Sequence, residues 1–301
     1  MRLFYLVLLF ILISSCSTLH KKSNLFTEVK IENGIKLEEV VPHYFSAKLD
    51  DYEVSEEFLP SKSQNERVRF LILHYTGIDT EASIKALTKN EVSSHYLISD
   101  SLDKKIHLLV TEDKRAWHAG LSFFNNFNNL NDNSIGVEIV NKGFKLDSLG
   151  NMVFESYPTH QIKKVAILVK NIVDRYKIDS TYVLGHSDIA PQRKFDPGPL
   201  FPWKYFYDTY RIGAWYNELD KTEFSLLDIK ENFNSIEFIT SVQEDLLKYG
   251  YEIKITGEWD LQTKNVIRAF QYHFNATAFE FGILDQETWS ILKALNKKYR
   301  K

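Results

Sequence analysis

Hydrophobic positions along this 301-residue chain follow two regimes, one before and one after roughly Trp215. In the first, Val68–His74 (VRFLILH) is a dense apolar run of strand length that ends on a polar residue, the pattern of a buried strand. Thr80 is placed to cap a short helix that turns Ile84 and Leu87 inward. His95–Ile98 and Lys105–Val110 read as strands of a hairpin around Asp100–Asp103. Ser134–Asn141 (SIGVEIVN) and Thr181–Gly185 read as two more strands. Between them, Ile162, Val165, Ala166, Val169, Ile172, Val173 and Tyr176 recur at helical spacing within Thr159–Tyr176, which predicts one apolar helix face. Strands interleaved with helices predict an α/β core, a mixed central sheet flanked by helices.

Beyond Trp215 no strand pattern recurs. Residues 217–234 are charged and weakly patterned and read as a linker. Three helical stretches follow, Ile236–Tyr249, Asp260–Phe274 and Gln286–Leu295, with Asp260 and Asp285 where N-caps belong. They predict a small three-helix domain over 235–301. At the other end, Arg2 precedes eleven apolar residues, Leu3–Ile13, and then Ser14-Ser15-Cys16. A charged start, a short apolar run and small residues before a boundary read as an export signal. At about 1.5 Å per residue the run falls far short of the ~30 Å hydrocarbon core. Ile13-Ser14-Ser15-Cys16 resembles a bacterial lipobox, which implies a signal peptide over 1–15 and a lipid on Cys16. A polar tether over 16–34 and an α/β domain over 35–216 complete the expected organisation.

Composition narrows the function. With 44% hydrophobic and 14% aromatic residues, the chain has ample apolar area for a core. A formal charge of −3 argues against a nucleic-acid partner, because phosphate binding needs a basic face. The single cysteine excludes a disulfide framework and a cysteine-cluster metal site. A metal site must therefore use the nine histidines and the carboxylates. His74 ends the first core strand, His186 follows Tyr182–Gly185, and Asp196 comes ten residues later. Two imidazoles and one carboxylate leave a fourth tetrahedral position for water, as catalytic zinc requires. A competing pattern, His186-Ser187-Asp188, fits the H-x-D half of a non-haem iron triad; the only histidine downstream to complete it is His273.

The stretches LILHYT (71–76), SSHYLI (93–98), AWHAG (116–120), SIGVEI (134–139) and GHSDIAPQRKFDPGPLFPW (185–203), in that order, closely resemble the zinc-dependent N-acetylmuramoyl-L-alanine amidases. These share their fold with phage T7 lysozyme and the peptidoglycan recognition proteins. The tail, with VQEDLLKYGY (242–251), TGEWDLQT (256–263) and VIRAFQYHF (266–274), resembles a peptidoglycan-binding domain whose usual Gly-rich turn is reduced to Thr256–Trp259. The resemblance implies a Zn²⁺ hydrolase of the amide between N-acetylmuramic acid and L-alanine in peptidoglycan or muropeptides. It assigns His74, His186 and Asp196 as zinc ligands, Glu138 as the carboxylate that activates water, and Lys194 as the cation that stabilises the oxyanion.

Four further positions are expected beside substrate. His118 either contacts substrate or packs beside Trp117. Arg193 either grips a stem-peptide carboxylate or makes a surface salt bridge. Asn133 is expected to hydrogen-bond sugar or peptide. Tyr75 stands where many relatives have a second histidine, so that position holds no essential ligand. His95 reads as structural, hydrogen-bonded within the sheet. A second reading on the same fold is a non-catalytic peptidoglycan receptor, but such proteins typically lack a zinc ligand, and here the full set is present. Lipidation at Cys16 implies an anchor on the periplasmic side, and the following Ser17 resembles enterobacterial sorting to the outer membrane; a monomer is expected, with peptidoglycan as the partner that the family resemblance implies.

Overall fold

The computed structural model describes residues 28–32, 35–39, 61–230 and 232–300. Cys16 and the expected signal peptide lie outside them. The chain divides into two compact units, Met1–Gln64 and Asn65–Lys301. In the first, β1 (Glu28–Glu32) and β2 (Ile35–Glu39) pair antiparallel. Strand β1 thus falls in the segment expected to be an unstructured tether, and the main unit begins at Asn65 rather than at residue 35. Alternating Val29, Ile31, Ile35 and Leu37 supply a period-2 pattern that the polar composition of the segment hides.

The main unit is built on a five-stranded sheet of order β11-β3-β8-β4-β5. Its strands are β3 (Phe70–Tyr75), β4 (Tyr96–Ile98), β5 (His107–Leu108), β8 (Ser134–Ile139) and β11 (Val183–Gly185). Neighbours pair parallel except β4 with β5. Two short hairpins lie outside it, β6 (Phe123–Phe124) with β7 (Phe127–Asn128) and β9 (Phe144–Leu146) with β10 (Met152–Phe154). The central strands are buried along nearly their whole length, which is why they read as continuous apolar runs. Thr181 and Tyr182 belong to a 3₁₀ turn rather than to β11.

Helix α1 (Thr80–Lys89) is capped by Asp79, whose side chain accepts from Ala82 N at 2.9 Å. Thr80 is the first helical residue instead of the cap, because the acidic side chain one position earlier satisfies the free N–H groups and the helix dipole. Helix α2 (Thr159–Tyr176) buries Ile162, Val165, Ala166, Val169 and Ile172, as its stripe predicts. After β11, the short helices α3 (His186–Ile189) and α4 (Trp203–Tyr205) lead into a π-helical turn at Phe206–Tyr210.

The expected linker contains a helix, α5 (Glu218–Ser225). It is weakly amphipathic and is held from outside. Lys297 pairs with Asp220 and Glu223, and Lys221 with Glu287. Helices α6 (Ile236–Tyr249), α7 (Leu261–Phe274) and α8 (Gln286–Tyr299) form the tail. Asp260 and Asp285 cap α7 and α8 by accepting from Thr263 N and Thr288 N. One apolar core runs from the sheet through these helices, so the C-terminal helical domain packs directly on the α/β region.

Candidate metal centre

Parallel pairing of β3 with β8 sets His74 beside Glu138. On the other flank of β3, strand β11 delivers Gly185 and then His186, the first residue of α3. Gly185 has to be glycine here: a Cβ would stand 2.5 Å from the Pro197 ring, which folds back over it. That fold-back brings Asp196 to His186, and Ser187 N donates to the Asp196 carbonyl at 2.8 Å. The three side chains converge. His74 Nδ1 lies 3.0 Å from His186 Nδ1 and 3.0 Å from Asp196 Oδ2, and His186 Nδ1 is 3.1 Å from the same oxygen. Donors about 2.0–2.1 Å from one tetrahedral ion stand about 3.3 Å apart, so the triangle has the size a metal needs.

The outer nitrogens decide the tautomers. His186 Nε2 is 3.1 Å from the Ala119 carbonyl. A carbonyl only accepts, so Nε2 carries the hydrogen and Nδ1 of the neutral ring presents a lone pair. For His74 the argument runs through two more residues. Ser134 donates its hydroxyl to the Leu130 carbonyl, so its oxygen accepts from His118 Nε2 at 3.2 Å. His118 Nδ1 then accepts from His74 Nε2 at 3.0 Å, which leaves the His74 Nδ1 lone pair facing Asp196. Two lone pairs and a carboxylate oxygen meet with no proton between them. A cation is what such a set accommodates, and neutral imidazoles with a carboxylate suit Zn²⁺.

Electrostatics agree. Burial, reinforced by His186, brings the His74 imidazole down to about 4; burial also holds His118 well below its ordinary value. Burial opposes ionisation of Asp196, but His186 and His74 prevail and hold its carboxyl well below the usual range. Both shifts favour the forms of His74 and Asp196 that can bind a metal. Glu138 behaves oppositely: burial and the Asp196 charge push it up to about 8 against the pull of Lys194. Its Oε2 is enclosed and has no hydrogen-bond partner among the described residues.

These groups open onto a cavity of about 380 Å³ whose wall includes Tyr75, Trp117, Glu138, Lys194 and Phe195. Lys194 Nζ has no hydrogen bond or ion pair among the described residues and is available to a ligand. Tyr75 also lines the cavity. Of the other three expected positions, His118 and Arg193 also stand on the cavity wall. His118 is buried behind His74 as its hydrogen-bond acceptor; its ring lies so close over β8 that a Cβ on Gly136 would stand 2.5 Å from it. Arg193 reaches the cavity wall but directs Nε and Nη2 to the Leu121 carbonyl at 3.2 and 2.6 Å, with Nη2 also on Ala119. Among the described residues it makes no salt bridge; it braces the Ala119 carbonyl that orients His186. Asn133 precedes β8 at the end remote from Glu138, roughly 16 Å away at ~3.3 Å per residue, and does not line the cavity. His95 is used within the sheet, accepting from Gly136 N at 3.0 Å and contacting the Lys114 carbonyl at 3.1 Å.

The iron pattern fails on direction. Asp188 meets His273 and Tyr251, while His186 Nδ1 faces Asp196 and His74. Among the described residues His74, His186 and Asp196 are the one cluster able to hold a metal. Ser134, which sets the His74 tautomer, escaped the sequence reading although it opens the SIGVEI stretch. The Ala119 carbonyl that orients His186 is backbone and carries no residue-type signal.

The family model described as N-acetylmuramoyl-L-alanine amidase matches residues 64–199, and the one described as putative peptidoglycan binding domain matches 236–292. The chain is 39% identical over 238 residues to the N-acetylmuramoyl-L-alanine amidase AmiD of Escherichia coli, covering 77% of this chain and 84% of that one. It is 39% identical over 115 residues to the 1,6-anhydro-N-acetylmuramyl-L-alanine amidase AmpD of the same organism, covering 38% and 56%. The crystal structure of AmpDh3 from Pseudomonas aeruginosa superposes with a TM-score of 0.73 at 38% identity, covering 83% of this chain and 99% of that one. E. coli AmiD, solved with the substrate anhydro-N-acetylmuramic acid-L-Ala-D-gamma-Glu-L-Lys, superposes with a TM-score of 0.72 at 32% identity, covering 91% and 99%.

Proposed function

Because the chain belongs to the N-acetylmuramoyl-L-alanine amidase family, we propose that His74, His186 and Asp196 hold Zn²⁺ and that the site hydrolyses the amide between N-acetylmuramic acid and L-alanine in muropeptides. The observation that carries this reading is the convergence of two imidazole lone pairs on Asp196, with Glu138 and Lys194 on the same cavity wall. Zinc bound there supplies Lewis acidity that makes water nucleophilic at neutral pH. The side chains do the rest. Glu138 takes a proton from the attacking water and returns it to the leaving nitrogen of L-alanine. Lys194, without another partner among the described residues, donates to the oxyanion that develops on the scissile carbonyl. The substrate in the AmiD complex is an anhydro-muramyl peptide, and the same class is proposed here. Mass spectrometry of muropeptides digested by zinc-loaded protein should show free sugar and an intact stem peptide beginning with L-alanine. A chelator should stop the reaction. Intact muropeptides, or products of another bond, would overturn the reading.

The helices after α5 serve, in this proposal, to hold the enzyme on peptidoglycan, and a lipid on Cys16 holds a monomer at the periplasmic face of the outer membrane. The charged start, the apolar run Leu3–Ile13, Ser14-Ser15-Cys16 and the following Ser17 support the anchor. Cys16→Ala should shift the protein from the membrane to the soluble fraction or leave a precursor of higher mass. Unchanged fractionation and mass would refute lipidation.

A further inference from the structure

A carboxylate in a protein interior is tolerable only when donors meet its oxygens. Asp188, on α3 two residues after His186 and 1% exposed, has a complete set. Its Oδ2 accepts from Gly185 N at 2.8 Å and from His273 Nδ1 at 2.8 Å, and its Oδ1 accepts from the Tyr251 hydroxyl at 2.7 Å. Gly185 is the residue that presents His186 to the metal site. Tyr251 follows α6 and His273 lies on α7. One buried carboxylate therefore ties the peptide that aims a metal ligand to the helical tail.

The partners are themselves held. The His273 ring lies between Trp203, at 3.9 Å and 17°, and Phe274, at 4.0 Å and 8°. Its Nε2 is enclosed without a partner among the described residues, so the bond to Asp188 is the polar contact that fixes the ring. Helix α7 grips the rest of the ligand loop as well. Arg268 donates to the Pro191 carbonyl at 2.8 Å and lies 4.4 Å over the Phe195 ring, and Asn265 donates to Gln192 at 2.9 Å. These contacts span the stretch between His186 and Asp196.

We propose that Tyr251 and His273 are positioning residues for the metal site, acting through Asp188 to hold His186 in register with His74 and Asp196. The tail then has a second task beyond any hold on the wall. The proposal rests on the metal reading of the site. Groups that orient a ligand from outside typically change metal affinity by about 10–100-fold when removed, whereas groups that only fill space change stability and leave the affinity alone.

The test measures the zinc dissociation constant of full-length protein by competition with a chromophoric chelator, with circular dichroism to establish folding. Tyr251→Phe removes one hydroxyl and keeps the ring. His273→Phe keeps a flat ring between Trp203 and Phe274 but removes the donor, and His273→Asn restores a donor near the Nδ1 position. The two phenylalanine variants should bind zinc about 10–100-fold more weakly, and His273→Asn should recover most of that loss. If both phenylalanine variants are folded and bind zinc within about twofold of wild type, the anchor is packing alone and the proposal is wrong. Should His273→Phe fail to fold, Tyr251→Phe decides by the same criterion. Wild-type protein that binds no zinc would overturn the metal reading first and this proposal with it.

Discussion

Asp196→Ala is expected to lose zinc and hydrolysis together while remaining folded. Asp196 brings the one negative charge to a ligand set whose other members are neutral imidazoles, and all three side chains are buried. Without it, a dication would enter a dry site with no opposing charge. Activity should drop at least ~10³-fold, because metal polarisation of the carbonyl is worth several kcal/mol. The loop should survive, since its tie to α3 uses the Asp196 backbone carbonyl and Ser187 N. Thermal unfolding supplies a second readout. At a hundredfold excess over the dissociation constant, zinc stabilises a folded protein by about 2.7 kcal/mol, roughly 5–10 °C for a chain of this size. Wild type should show that shift and Asp196→Ala should not. Zinc retained at full stoichiometry in Asp196→Ala would mean that another residue is the third ligand.

What the sequence showed and what it hid have physical reasons. Strands β3 and β8 were legible because they are buried along nearly their whole length and are apolar or small except near their ends, at His74, Tyr75 and Glu138. Helix α2 was legible because one face meets the sheet. The candidate ligands, Glu138 and Lys194 were marked by the family resemblance of the stretches that contain them. The contacts of the remaining candidates were hidden for a different reason: they depend on what lies across the fold. Arg193 answers to two backbone carbonyls, and a carbonyl has no letter in the sequence. His118 owes its orientation to Ser134 and Leu130, which no spacing rule connects to it. Asn133 suffered from proximity in sequence, since a strand carries its two ends apart as fast as a chain can go. Helix α5 is weakly amphipathic because its partners are charges on α8, and such pairing exists only once the tail has folded. Asp188 is the sharpest case. Its H-x-D spacing suggested a metal ligand, whereas its oxygens hold the loop that presents one.

Glu138→Gln is expected to retain zinc and to slow hydrolysis by roughly 10²–10⁴-fold, the range for loss of a general base. Glutamine keeps the shape and burial of the side chain and removes the basic oxygen. Metal content should not change, because Glu138 lies beside the ligand triangle and is not one of its corners. The pH profile gives an independent sign. Burial and Asp196 push the Glu138 carboxyl up to about 8, and a bound dication favours the charged form and draws it down. A base works only when ionised, so wild-type kcat/KM should rise with pH along a limb that lies below 8, and that limb should vanish in Glu138→Gln. In metal-free protein the raised value means that the neutral form is favoured on folding. Its share of stability is complete below the ordinary carboxylate range near 4.5 and is lost as pH rises toward 8. Lys194→Ala should also keep the metal but lose about 3–4 kcal/mol of oxyanion stabilisation if its ammonium meets the developing charge. Elemental analysis beside turnover of a muramoyl peptide separates Asp196→Ala, which loses both, from the other two variants, which lose turnover alone. Near-wild-type turnover in Glu138→Gln would remove Glu138 from the reaction and leave its enclosed, unpartnered Oε2 without a chemical purpose.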